Sequence, residues 1–291
     1  MNQRHWIDNA GVRLFARTWG DSTHPAMVLV HGYPDNHSVW SRVAEHLANR
    51  FFVIAWDVRG AGASDAPSRL RDYRLSRLAS DMQAVVDQLI PERDFHLAAH
   101  DWGSVQSWES VTDGPLTGRI RSFTSISGPC LDHVGFVLRR KALSLSLADK
   151  ESLLRQLGSS WYVMFFQLPV FAPLLWKTLL AKRWPEYLAN VEGVAEPGPN
   201  PTQVKDGSKG VMLYRANMLP RLLNPRPRYA RCPVQLIEPR NDRYVGPVLS
   251  EQLEQWVPGL IRRPVEAGHW LILDQPEQVA GWIAGFADTV A

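Results

Sequence analysis

The sequence predicts an α/β protein built on a mainly parallel sheet with helices on both faces and a helical insertion. Three observations predict it. Short apolar runs recur along the first half of the chain and again near its end, each closing on turn residues. Between them lie stretches whose apolar residues recur at helical spacing. From about Cys130 to about Pro220 this alternation stops, giving way to a region rich in Leu, Trp, Phe and Pro.

The runs, in order, are AMVLV at 26–30 before His31-Gly32, FFVIAW at 51–56 before Asp57, and FHLAA at 95–99 before His100-Asp101. RSFTSI at 121–126 runs into Ser127-Gly128-Pro129; VQLI at 234–237 and IRRPV at 261–265 come late. Runs this short and this apolar suit strands covered on both faces, as parallel sheets require. Residues 75–89 place Leu75, Leu78, Ala79, Met82, Val85, Val86 and Leu89 on one helix face. The interrupting region carries a flexible-looking segment, GVAEPGPNP at 193–201, and strand signal resumes at Val234. That pattern fits a helical cap, or lid, inserted at 131–220 over a core made of 1–130 and 221–291. A last helix spans 276–290, with Pro276 in its first turn, where the missing N–H costs nothing.

Composition narrows the function classes. With 45% apolar and 21% charged residues the chain is globular and not disordered. A net charge of +3 and short clusters such as Arg139-Arg140-Lys141 and Arg262-Arg263 read as solvated faces, so no nucleic-acid partner is expected. Two cysteines, Cys130 and Cys232, form no disulfide framework, and no Cys/His cluster has zinc spacing, so no metal is expected. The N-terminus lacks the basic-then-apolar design of a signal peptide. The apolar stretch 161–176 is shorter than the ~20 residues that cross a bilayer. It holds Gln167 and two prolines and runs into Lys177, so it reads as buried or cavity-lining, without stable membrane insertion. The expectation is a cytoplasmic protein, with a homodimer left open.

In a parallel sheet the ligand site lies beyond the carboxyl ends of the strands. There the sequence places AHDWGS at 99–104, at a strand-to-helix junction whose small residues permit a tight turn. Asp101 at its centre is a nucleophile that needs no base to take a proton from it, and the helix N-terminus favours its charge. In isolation it reads equally well as a helix cap. His269, in AGHW at 267–270, follows the last strand, and Asp242, in PRNDRYV at 239–245, follows the one before. A lone His is usually structural and a loop Asp usually a turn former. A nucleophile, an acid and a histidine in that order, each after a strand, form a triad. Asp132 is the alternative partner for His269. Ser104 and Ser127 lack the flanking glycines of a serine nucleophile. HGYPD at 31–35 supplies a structural turn of His31, Gly32 and Pro34, with a cis Tyr33–Pro34 bond left open. The backbone N–H groups of Tyr33 and Trp102 are the candidate oxyanion donors. DVRGAGASD at 57–65 lacks the spacing of a nucleotide-binding loop and reads as a structural turn, so no cofactor is expected.

Through HGYPD, DVRGAGASD, AHDWGS, the Asp242 segment and AGHW, the sequence resembles the α/β-hydrolase-fold epoxide hydrolases over nearly its whole length. It is also similar to the hydrolase half of bacterial proteins that fuse this domain to a short-chain dehydrogenase; these residues hold no such second domain. The resemblance implies two cap tyrosines that hold the epoxide oxygen. They match Tyr162 in WYVMFFQ and Tyr214 in LYRANM, either of which alone would read as a packing residue. Implied further is conversion of an epoxide and water to a vicinal diol through an alkyl ester on Asp101, which His269 and Asp242 then hydrolyse. Phe165, Phe166, Leu168 and Trp176 suggest a small lipophilic substrate. Tyr33 stands where phenylalanine is commoner, and Ala99 and Ser104 replace glycines, which bears on the local turn. Two alternatives remain: a haloalkane dehalogenase using the same Asp, and a non-catalytic module that binds an apolar ligand. A fluoroacetate-type enzyme would carry Arg where this chain has Trp102.

Overall fold

The computed structural model describes residues 2–290. The chain runs β1 (Gln3–Asn9), β2 (Val12–Trp19), β3 (Ala26–Val30), α1 (Ser41–Leu47), β4 (Phe52–Trp56), α2 (Leu75–Leu89), β5 (Phe95–His100), α3 (Trp102–Thr112) and β6 (Ile120–Ile126). Six helices follow: α4 (Leu131–Leu143), α5 (Leu147–Ser159), α6 (Trp161–Phe165), α7 (Phe171–Leu175), α8 (Ala181–Asn190) and α9 (Gln203–Leu223). The chain then returns to β7 (Val234–Pro239), β8 (Ile261–Val265), α10 (Leu271–Asp274) and α11 (Pro276–Asp288). One eight-stranded sheet has the order β1-β2-β4-β3-β5-β6-β7-β8. From β4 to β8 every pairing is parallel, as the apolar runs predict.

The two-residue period of a strand sorts the core into two layers. Val28, Val30, Ile54, Trp56, Leu97 and Ala99 point to one side, where Leu78, Met82 and Val85 of α2 and Val105 and Trp108 of α3 meet them. Met27, Leu29, Val53, Ala55 and Ala98 point to the other, against Val43 and Leu47 of α1 and Val279 and Ile283 of α11. β3 and β5 are buried along their whole length, so the two strands that lead to Tyr33 and Asp101 have no edge open to water.

The sequence reading missed β1 and β2. They form an antiparallel hairpin on the sheet edge, joined by Ala10 and Gly11, both at positive φ, the backbone that a two-residue hairpin turn demands. Half-exposed edge strands such as Gln3–Asn9 carry no apolar run to find.

The helical segment between β6 and β7 is pinned to the core by side chains of α9. Gln203 donates to Pro34 O at 2.9 Å, Asp206 accepts from Gly62 N at 2.8 Å and from Asn36 at 3.1 Å, and Asn217 bridges Leu75 N and Tyr73 O. α9 runs past Pro220 to Leu223. A correction falls on 161–176. The stretch is buried on one side only: Val163, Phe166, Ala172 and Trp176 are covered, while Trp161, Met164, Leu168, Val170, Phe171 and Leu174 face outward. α6 and α7 are single turns on the outside of the insertion, so only the positions turned inward find partners. Among the described residues no helix is long and apolar enough to cross a membrane.

Candidate active site

Asp101 sits at the end of β5 as the first residue before α3, at φ 50° and ψ −125°. An L-residue holds such a backbone only where its surroundings enforce it, and such strain concentrates at functional sites. Here the enforcement is close packing without side chains: Cβ atoms at Gly32, Gly103 and Gly128 would collide with Asp101 or with the β3 backbone. Ser104, in place of glycine, fits because its hydroxyl donates to Gly128 O at 2.7 Å.

The Asp101 carboxylate points into a cavity of about 400 Å³ lined by Tyr33, Tyr162, Tyr214, Tyr244, His269 and Trp270, among others. Tyr33 N–H donates to Asp101 Oδ2 at 2.7 Å, and Trp102 N–H also donates to the carboxylate. Burial still pushes Asp101 up to about 6, against the pull of His269 and the two N–H groups. His269 Nε2 lies 3.8 Å from Asp101 Oδ1, too far for a hydrogen bond. Its Nδ1 meets Asp242 Oδ2 at 2.9 Å, and Asp242 Oδ1 accepts from the N–H groups of Tyr244 and Val245. Burial pulls His269 down, but the charge and hydrogen bond of Asp242, aided by Asp101, outweigh it and set the imidazole at about 9. His269 and the N–H groups of Val245 and Tyr244 hold Asp242 below the usual carboxylate range despite its burial.

The two tyrosines that the resemblance marks out stand together over Asp101. Tyr162, from α6, and Tyr214, from α9, have ring centroids 6.1 Å apart at 81°, and Tyr214 lies 4.8 Å from Trp102. Burial and the nearby carboxylate push both phenols far above their ordinary value, so both stay protonated. Of the four residues taken as a lipophilic lining, Phe166 and Trp176 reach the cavity, whereas Leu168 is exposed on the outside of the insertion.

Other sequence candidates fall elsewhere. Asp132 faces arginines, with Arg226 at 2.8 Å and Arg228 at 3.5 Å, and has no part in orienting His269. Ser127 lines a separate cavity of about 310 Å³ behind Asp242. His31 locks the turn: its Nδ1 bonds Gly32 O at 2.8 Å and its Nε2 accepts from Val58 N at 2.9 Å. The Tyr33–Pro34 bond is cis. The Tyr33 hydroxyl donates outward to Gly207 O, so only its N–H and ring serve the cavity.

Three positioning contacts escaped the sequence reading. His100 Nε2 donates to the carbonyl of His269 at 2.8 Å, fixing the backbone of the candidate base. Asp35 accepts from Trp270 Nε1 at 2.9 Å; burial lifts its carboxyl to about 7. Tyr244 packs on His269, its hydroxyl held by Tyr187 and Glu192 of the insertion. All of them lay inside the quoted motifs, His100 beside Asp101, Asp35 after Pro34, Trp270 after His269 and Tyr244 two residues past Asp242, with nothing local to show what each would touch.

Comparison with known proteins agrees with the fold. Residues 25–276 match the family described as alpha/beta hydrolase fold. "Probable oxidoreductase EphD" of Mycobacterium tuberculosis is 36% identical over 96% of this chain, which spans only 48% of that relative's length. "Epoxide hydrolase 3" of Xenopus tropicalis is 28% identical, covering 96% of this chain and 76% of its own. A crystal structure of a Bacillus megaterium epoxide hydrolase with its diol product superposes with a TM-score of 0.78, at 21% identity and over 98% of this chain and 100% of its own. At that identity the likeness speaks for the fold alone.

Proposed function

The chain belongs to the alpha/beta hydrolase fold family, and within that family we propose that it opens epoxides to vicinal diols through an ester on Asp101. The observation that carries this reading is a carboxylate nucleophile facing two protonated phenols across one cavity, with an imidazole on its other flank. The names of several relatives support the same chemistry.

In the first step Asp101 Oδ1, the oxygen not held by Tyr33 N–H, attacks an epoxide carbon, and the C–O bond of the ring breaks. An alkoxide is more basic than a phenolate in the same buried cavity, so a proton passes from Tyr162 or Tyr214 to the departing oxygen. Esterification removes the Asp101 charge that helps keep His269 protonated, so its pKa falls and more of the imidazole is neutral and free to take a proton. The 3.8 Å gap between Nε2 and the carboxylate gives room for a water to approach the ester carbonyl as His269 takes its proton. Oδ2 carries the oxyanion charge and already accepts from Tyr33 N–H, with the Trp102 N–H as the second donor of this reading. The diol then leaves with the former Oδ1 and the proton held by His269, the carboxylate keeps the solvent oxygen, and the second water proton restores the phenol. Residues 131–220 act in this reading as the cap that brings both tyrosines to the core.

Diol formation from a styrene-like epoxide, without halide release from a haloalkane, is the expected result. In one turnover in ¹⁸O-water the first diol carries no label and the label appears in Asp101. Label in the first diol would mean direct attack by water and would overturn the covalent route. Halide release instead would favour the dehalogenase reading, against which the outward-bonded Tyr33 hydroxyl and the paired phenols already stand.

A further inference from the structure

The outside of the insertion is unusually apolar for a surface. Within a few turns, Trp161 (68% exposed), Met164 (59%), Val170 (64%), Phe171 (65%) and Leu174 (51%) all face outward, joined by Leu154, Leu157 and Leu168. Scattered apolar residues on a surface are ordinary, but a contiguous group of this size marks an interaction site. Its charge is one-sided. From Ser152 to Pro185 the sequence holds no Asp or Glu, while Arg155, Lys177, Lys182 and Arg183 all lie there and are exposed. Arg155 is paired with Glu151. The other three continue the line of Phe171 and Leu174, because α7 passes through a π-helical turn (Trp176–Leu180) directly into α8. One helix thus exposes apolar side chains at its start and cations further on.

The patch also borders the entrance to the cavity. Trp161, Gly158 and Ser159 are exposed and line the cavity that holds Asp101, so the opening emerges at the edge of the apolar face. Protein–protein interfaces are depleted of lysine. An apolar face beside cations, with exposed carboxylates only at its two ends in Glu151 and Glu186, is instead the design of a helix that lies in the plane of an anionic membrane.

We propose that the outer face of α5, α6, α7 and α8 docks on an anionic lipid bilayer, placing the cavity mouth at the acyl–headgroup boundary so that lipophilic substrate enters without crossing water. Docking stands on the surface alone; the delivery of substrate rests on the epoxide-opening reading.

The test is co-sedimentation of the whole chain with vesicles of phosphatidylcholine plus phosphatidylglycerol, and of phosphatidylcholine alone. Binding is expected to be about 10-fold or more tighter on the anionic vesicles and to weaken as salt is raised. A Phe171→Ser/Leu174→Ser variant, at two exposed positions that do not line the cavity, is expected to lose about 10-fold or more of that binding. Lys182→Glu/Arg183→Glu is expected to abolish the preference for anionic vesicles. Both variants should keep the circular dichroism spectrum and the turnover of a water-soluble epoxide. Binding to neither vesicle, binding indifferent to both variants, or a dimer in ultracentrifugation that Phe171→Ser/Leu174→Ser dissociates would each overturn the proposal, the last by showing a second copy on this face. Vesicle binding is read without turnover, so failure of either proposal leaves the other standing.

Discussion

The Tyr244 ring stands edge-on to His269 with centroids 4.9 Å apart, while its hydroxyl is held from the insertion by Glu192 Oε1 at 3.1 Å. Tyr187 donates to the same carboxylate oxygen and also meets the Tyr244 hydroxyl. The insertion therefore grips the core at the residue that packs on the candidate base. Replacing Glu192 with Ala leaves two phenols without their shared acceptor and is expected to cost about 1 kcal/mol of stability, the net worth of a part-exposed hydrogen bond. Thermal denaturation checks this. Turnover should fall in kcat more than in KM, because His269 is loosened and substrate contacts are not. An equal change in both would assign Glu192 to substrate binding instead.

Exchanging Tyr162 or Tyr214 for Phe should slow adduct formation by about 10- to 100-fold each, with the pair of changes losing about 10²–10⁴-fold, the usual worth of general-acid catalysis. Single-turnover mass spectrometry reads the step directly. If either single variant alkylates at the unmodified rate, that tyrosine is a packing residue.

Asp101 must be ionised to attack. Its pKa of about 6 is held down in part by His269, so adduct formation should decline as pH falls through about 6. Replacing His269 with Asn removes that cation. The expected result is an ester that accumulates on Asp101, visible by intact mass, with the acid limb of its formation moved to higher pH. A limb that stays in place or moves down would show that His269 does not tune the nucleophile.

Asp242 and Asp132 should separate cleanly. Asp242→Asn denies His269 its acceptor and is expected to slow ester hydrolysis by up to about 10⁴-fold, as loss of the orienting carboxylate does in other triads. Asp132→Asn leaves Arg226 with Glu109 and Arg228 with Glu109 and Asp113 as remaining partners, and is expected to cost about 1.5–3 kcal/mol of stability, the worth of a hydrogen bond to a charged group. Kinetics at 25 °C and urea denaturation of both variants decide the assignment; loss of hydrolysis in a folded Asp132→Asn would reverse it.

Gly32→Ala would place a methyl group where the Asp101 carboxylate lies. Because the obstruction is one side chain, the fold should survive, while turnover drops by about 10²-fold or more through misplacement of the nucleophile. Circular dichroism with a turnover assay tests it.

Much of this was written locally. Buried parallel strands need apolar runs, and a tight turn bearing a nucleophile needs small neighbours, so β3 to β8, Asp101, Asp242 and His269 could be read from order and spacing. The hairpin of β1 and β2 could not, because edge strands half open to water have no compositional mark. Chain order preferred Asp242 over Asp132, and the arginines that fold against Asp132 are what the sequence did not show.

Sequence alone determined which side chains stand at the strand ends, since that follows from periodicity along one segment. Tertiary structure alone decided what faces them: that Tyr162 and Tyr214, 52 residues apart, share one cavity, that Glu192 reaches Tyr244, and that half of 161–176 faces outward. These depend on where distant helices come to rest, and a helix shows its apolar positions in sequence without showing which of them will find a partner.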